Sequence, residues 1–348
     1  MEEFDKEQFL EELRNQVVKV QDPLFPVLRR QANIQGGVLL IYKALMNVAV
    51  LLLVFGVSLY QTIAQLAAGS FQAASDVMLG VQAITDAVAD ATGWGYLLAA
   101  ASGWAILRLW KKRTYFRETI YKPGKPMTVA TFFALVAVMF GVQIPAQLWS
   151  MGLEWACNQF GYSLDTVLQS SGMDMDRLSI WLYVSLAAPV TEELLFRGLL
   201  LRGLEDYGKP FAVMVSAALF GLYHGSPIQT PFAFVVGLVL GYVAVEYNIL
   251  WAIVLHMMNN LLLSDTFPRL LSGLPYQVGD TILWIFLGLC CLIGVVILIL
   301  KWRELRTWRC AAPTETWHRR AYWRAPCVVI VTIWCLVDLC LYFVLMCI

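Results

Sequence analysis

The chain has 348 residues, of which 59% are apolar and 14% charged, and its mean hydropathy is +0.65. That is far more apolar surface than one soluble core absorbs, which excludes an ordinary soluble domain and indicates an all-α, polytopic transmembrane helical bundle. Lys plus Arg and Asp plus Glu both number 25 and no basic block occurs, so nothing points to nucleic acid as a partner.

In chain order, residues 1–37 form a polar cytoplasmic segment. Within it Phe9, Leu10, Leu13, Val17 and Val20 recur at helical spacing up to Pro23 and Pro26, the pattern of an amphipathic helix lying at an interface or against a partner. No short apolar core follows a basic start with a small-residue cleavage site, so this is not a cleavable signal peptide. Nine apolar segments follow, at 38–60, 94–110, 126–150, 178–201, 210–224, 228–245, 249–263, 281–300 and 325–347. They divide into N-terminal membrane helices (38–150), central helices (178–263) and C-terminal membrane helices (264–348). Segments 210–224 and 249–263 are shorter than the ~20 residues a perpendicular crossing needs. Residues 71–91, with Asp76, Asp86 and Asp90 among small residues, read as an extracytoplasmic amphipathic helix, with re-entry as the alternative. The eight cysteines have no framework or knuckle spacing and read as small apolar residues.

Basic residues test the layout, because cytoplasmic loops retain them. With the N-terminus inside, the inner segments hold 20 Lys and Arg and the outer ones 2, so the expected orientation has the N-terminus cytoplasmic and the C-terminus extracytoplasmic. Lys43, Arg108 and Arg197 lie inside spans, toward cytoplasmic ends where long side chains snorkel. Trp302, Trp308, Trp317 and Trp323, among arginines, suit an inner-leaflet belt. His318 in the same loop reads as a headgroup-facing surface residue. A bacterial plasma membrane is the expected location, with lipid as an obligatory partner.

Within 178–201, Glu192, Glu193 and Arg197 place charge where it is costly, which marks either a structural lock or a site. Glu193 stands four residues before Arg197, the spacing and order that pair best on a helix. Glu192, turned ~100° away, is left without a charge partner in its own helix. Pro189 lacks the amide hydrogen that would bond the Ser185 carbonyl, so a kink or widened turn is expected just before the glutamates. Gly237 and Gly241 make a small-xxx-small face, a close helix contact.

Two of the three histidines fall in the following spans: His224, four residues after Phe220, and His256, four residues before Asn260 on one helical face. At ~1.5 Å per residue from the cytoplasmic ends, Glu192 lies ~14 Å deep and His256 ~10 Å, whereas His224 comes out at ~21 Å. Either an inner boundary is misplaced or that helix dips. Glutamate and histidine together hold and deprotonate a water, while a second histidine and an amide present donors to a developing oxyanion. This is the equipment of an amide hydrolase with no serine, cysteine, metal or other cofactor. Glu with two His is also a zinc ligand set, although His-Glu-x-x-His is absent. Thr191 and Ser185 have no histidine beside them in sequence to activate them. Asp338, in the last span, suits packing or an interhelical hydrogen bond.

Glu192-Glu193-x-x-x-Arg197, then Phe220-x-x-x-His224, then His256-x-x-x-Asn260, in that order and on separate helices, resembles the three motifs of the CAAX-processing and bacteriocin-processing (CPBP, Abi) intramembrane glutamic endopeptidases. The resemblance covers about a quarter of the chain. It implies a helical bundle with an intramembrane polar cavity and metal-independent cleavage of a membrane-associated or lipidated protein or peptide. It also implies roles: Glu192 as the water-activating base, His224 assisting, His256 and Asn260 as the oxyanion hole, and Glu193, Arg197 and Phe220 in support. The competing reading is a non-catalytic membrane scaffold or immunity protein with a structural polar cluster.

Overall fold

The computed structural model describes residues 24–67, 74–111, 113–162, 174–310 and 315–346. Residues 1–23, most of the predicted N-terminal amphipathic helix, lie outside it. Every regular element among the described residues is helical. Six helices are long and apolar enough to cross a membrane, and a seventh, Lys209–Tyr223, is apolar but shorter. The protein is an integral membrane protein built as a polytopic helical bundle. Large apolar side chains remain exposed along its rim, among them Leu51, Leu52, Phe55, Ile285, Leu292, Ile333 and Leu341, as befits a surface solvated by lipid.

Helix α1 (Phe25–Ala67) starts thirteen residues before the predicted span. Pro26 does not delay it, because a proline in the first turn forfeits an N–H that has no intrahelical acceptor anyway. Helix α2 (Ala74–Trp110) fuses two predicted segments, so the described part of the predicted 71–91 helix, from residue 74 on, is continuous with the following span and not a separate element. Two of the acidic residues that weakened the apolar pattern are neutralised from outside: Arg177 Nη2 lies 2.7 Å from Asp86 Oδ1, and Nη1 lies 3.4 Å from Asp90 Oδ1. After the short α3 (Arg113–Tyr115) and a π-helical turn (Phe116–Ile120), Thr128 caps α4 (Val129–Gly141) by accepting from the Thr131 N–H; α5 (Gln143–Asn158) follows almost without interruption.

The centre of the bundle is a composite rod over 178–207. In it α6 (Leu178–Leu182), α7 (Ala188–Glu192) and α8 (Arg202–Leu204) alternate with π-helical stretches at Tyr183–Ala187 and Glu193–Leu201, before a closing 3₁₀ turn. The first π stretch is the widened turn expected ahead of Pro189. The Ala188 N–H reaches back five residues to the Tyr183 carbonyl. In that register the N–H that Pro189 lacks would have served Val184, whose carbonyl instead accepts from Asn260 Nδ2 at 3.0 Å. Other carbonyls of the rod are also taken by side chains of neighbouring elements. Gln35 donates to Leu199 and Leu200, Tyr115 to Gly198, Gln31 to Gly203 and Ser216 to Phe196.

Helices α9 (Lys209–Tyr223) and α10 (Gln229–Glu246) form a hairpin, followed by α11 (Ile249–Leu261), which Asn248 caps through the Trp251 N–H. The predicted 15-residue segment at 249–263 is too short because α11 runs on, through a π turn and α12 (Phe267–Leu271), to give a 23-residue unit. Helices α13 (Tyr276–Leu300), α14 (Trp302–Cys310), α15 (Thr316–Trp323) and α16 (Pro326–Met346) complete the fold. His318 on α15 packs against Trp317, Tyr207 and Phe211, so it is partly buried in an aromatic cluster and not simply a surface residue. The main core joins the rod (Leu195, Phe196, Leu200, Leu201) to α9 (Phe211, Val215, Leu219, Phe220), α1 (Leu39, Tyr42) and α15 to α16 (Tyr322, Val328).

Candidate active site

A cavity of about 380 Å³ opens between the rod, α1 and the α9 to α11 unit. Its lining includes Glu192, Phe220, His224, His256 and Asn260, so the structure gathers both histidines, the asparagine and one of the two glutamates on one surface. His224, whose estimated depth set it apart, lines the same cavity as Glu192 and His256.

The two adjacent glutamates occupy different environments. Glu192 is 20% exposed to the cavity, while Glu193 and Arg197 are both fully buried. Glu193 Oε1 accepts from Arg197 Nη1 at 2.9 Å and from His256 Nδ1 at the same distance. Since a carboxylate only accepts, Nδ1 carries a proton and the ring meets the cavity through Nε2, which lies 3.7 Å from Glu192 Oε2. That gap is too long for a direct hydrogen bond and suits a bridging water.

Arg197 does more than pair. Its Nη2 reaches the Gly237 carbonyl at 3.3 Å, and its guanidinium lies over the Phe220 ring, 4.3 Å from the centroid. Gly237 permits this approach, since a Cβ there would stand 3.1 Å from Ala217 Cα and from the Phe220 ring edge. Phe220 in turn meets both histidine rings edge-on, at 4.9 Å for His224 and 5.8 Å for His256. His224 follows the last residue of α9, with its Nδ1 2.8 Å from the Phe220 carbonyl. A carbonyl only accepts, so here too Nδ1 bears a proton and the other ring nitrogen, Nε2, is not taken by that bond.

Thr191 is buried against Trp104 and donates to the Ala187 carbonyl, and Ser185 is fully buried; neither lines the cavity. Among the described residues no three His, Cys, Asp or Glu side chains are disposed to hold a metal ion.

Residues 175–262 match the family described as type II CAAX prenyl endopeptidase Rce1-like. The centre of this chain is similar to that family. No curated protein and no solved structure shows significant similarity to the chain. The matched stretch contains the whole Glu192 to Asn260 constellation, and the likeness supports a CAAX-type protease. That stretch does not contain the whole cavity wall, because α1 and Tyr96 of α2 also contribute to it. Tyr42, Lys43, Met46 and Asn47 come from α1, and Lys43 forms an ion pair of 2.8 Å with Asp338 of α16. Lys43 is expected from sequence to snorkel, but it is buried and paired with Asp338; Tyr42, Met46 and Asn47 are not singled out there, although Lys43 and Asn47 are polar, four residues apart, on one face of an otherwise apolar helix.

Proposed function

We propose that the protein is a metal-independent intramembrane glutamic endopeptidase that hydrolyses a peptide bond of a membrane-associated or lipidated protein or peptide. Glu192, assisted by His224, takes a proton from a water as its oxygen attacks the scissile carbonyl. His256, as the imidazolium whose Nδ1–H stays on Glu193, donates through Nε2, and Asn260 donates the Nδ2 hydrogen not held by the Val184 carbonyl, to the oxygen on which negative charge develops. Collapse of the tetrahedral species breaks the C–N bond, and the proton held by the glutamate passes to the leaving amine. Glu193, Arg197 and Phe220 hold the His256 ring in orientation. Basic residues concentrate in the loops read as inner, which supports cleavage near the cytoplasmic side with the N-terminus inside and the C-terminus outside; a bacterial plasma membrane is the proposed location, on which the charge bias itself does not bear.

The observation that carries this reading is the convergence of Glu192, His224, His256 and Asn260 on one cavity wall while Glu193 and Arg197 are sealed behind it. The zinc alternative would use Glu192 with the Nε2 atoms of His224 and His256, and activity measured with a chelator and then with added zinc separates it from the metal-free reading. Comparative proteomics of membranes from cells carrying wild type or Glu192→Gln tests the reading and names the substrate. Proteolytic fragments should appear with wild type only. Identical termini in both membranes would leave the scaffold reading standing.

A further inference from the structure

Lys43 lies within the long apolar run of α1 and is buried, yet it belongs to the cavity wall. It is the one Lys or Arg among the described residues that line this cavity, since Arg197 is spent on Glu193 behind the wall. Its ammonium meets Asp338 Oδ2 at 2.8 Å, the Tyr223 carbonyl at 3.5 Å and the face of the Tyr223 ring at 4.7 Å from the centroid. Tyr223 immediately precedes His224. Asp338 reaches this point because residue 225 is glycine, in a left-handed turn (φ +60°) with a Cβ position 3.0 Å from Asp338 Cβ. The charged pair is therefore built into the turn that carries His224.

A clamp between the first and last helices accounts for the pair only in part. Two apolar side chains would clamp the same helices without desolvating two charges, and they often do so at equal or better stability. The pair is also unequal: Lys43 is a cavity-lining residue with a side chain only 10% exposed, whereas Asp338, 33% exposed, is not among the lining residues. An ammonium has three donors, of which Asp338 takes one at good distance and the Tyr223 carbonyl a second at the limit of hydrogen bonding. Donor capacity remains for a group inside the cavity, and in this apolar setting the group that gains most is an anion.

We propose that Lys43 is a specificity-determining residue that binds a carboxylate of the peptide while its scissile bond lies against Glu192 and His224. This rests on the protease reading for the site but not for the anion contact. The carboxylate belongs either to the chain terminus of the peptide or to an acidic side chain close to the cleaved bond. An uncharged group at that position leaves the ammonium with Asp338 alone.

The test measures binding of three fluorescent apolar peptides to the full chain in nanodiscs, in a Glu192→Gln background that prevents turnover. One peptide has a free C-terminal carboxylate, one has a C-terminal amide, and one has the amide with a glutamate as its last residue. The free acid should bind about tenfold or more tightly than the plain amide, the range of a charge-assisted hydrogen bond. The glutamate peptide matches the acid if a side-chain carboxylate serves, and the plain amide if only the terminus does. Lys43→Met should bring all three to equal affinity. Because that change strands Asp338, Lys43→Met/Asp338→Leu must give the same result in a folded protein, while Asp338→Asn must keep the preference. Equal binding of acid and amide to the Lys43 protein, or a preference that survives the double change, overturns the proposal. Cleavage of the same peptides by the Glu192 enzyme is read separately. Binding that follows Lys43 without any cleavage refutes the protease reading alone, and cleavage without a Lys43-dependent preference refutes only the anion site.

Discussion

Glu193 Oε1 stands 2.9 Å from His256 Nδ1, in a pair that joins the composite rod to α11, and the same oxygen holds Arg197. The glutamate that does not face the cavity thereby fixes the ring that does. Its neighbour Glu192 has no partner closer than the 3.7 Å to His256 Nε2 among its ionic contacts.

Two adjacent glutamates should therefore give opposite phenotypes. Glu193→Ala strands a fully buried guanidinium and the His256 N–H, and should cost about 3–5 kcal/mol of stability, the range for breaking a buried pair from one side. Glu193→Gln retains an acceptor and should cost less. Glu192→Gln removes no short contact and should shift stability by less than about 1 kcal/mol. Thermal unfolding of the three variants in detergent checks the order.

Arg197→Lys keeps the charge but not the fork. A lysine cannot meet Glu193 and the Gly237 carbonyl together while stacking on Phe220, so stability should fall by about 1–3 kcal/mol, the value of a charge-assisted hydrogen bond. Phe220 contacts both histidines, so activity should fall as well. An Arg197→Lys protein that melts and cleaves like wild type would falsify the positioning role assigned to the guanidinium.

Gly237→Leu should separate α9 from α10, since the added side chain starts 3.1 Å from Ala217 Cα. The expected readout is a fall in folded yield and in melting temperature. Gly56→Leu, on a face with nothing within 4 Å, is the control and should be tolerated.

How far the site was legible in the sequence depended on range. The Glu193 to Arg197 pair follows from i,i+4 spacing, and the widened turn at Tyr183–Ala187 follows from the missing amide of Pro189. Helical periodicity also separated the facings of Glu192 and Glu193. What stayed hidden was tertiary. No spacing rule says that His256, 63 positions on, bonds Glu193, or that Asn260 fills the Val184 carbonyl. The continuity of α2 was hidden for the same reason, because the partner that neutralises Asp86 and Asp90 is Arg177, far along the chain.

The orientation can be read with native chemistry. Cys310 is exposed on α14, within a segment assigned to the cytoplasmic side, and should react with a membrane-impermeant maleimide only after permeabilisation. Ser272→Cys, on the opposite side by the same count, should react in intact cells. The reverse pattern would invert the topology and move the proposed cleavage to the other face.

The central claim is that Glu192 activates the water. It is tested most directly by cleavage rates of purified wild type and Glu192→Gln in nanodiscs, on a substrate taken from the membrane proteomics, with melting temperatures measured on the same samples. The account predicts a loss of about 10²–10⁴-fold at unchanged melting temperature, and a wild-type rate indifferent to chelators. A Glu192→Gln protein that cleaves at the wild-type rate, or a chelated wild-type enzyme that zinc restores, would contradict it.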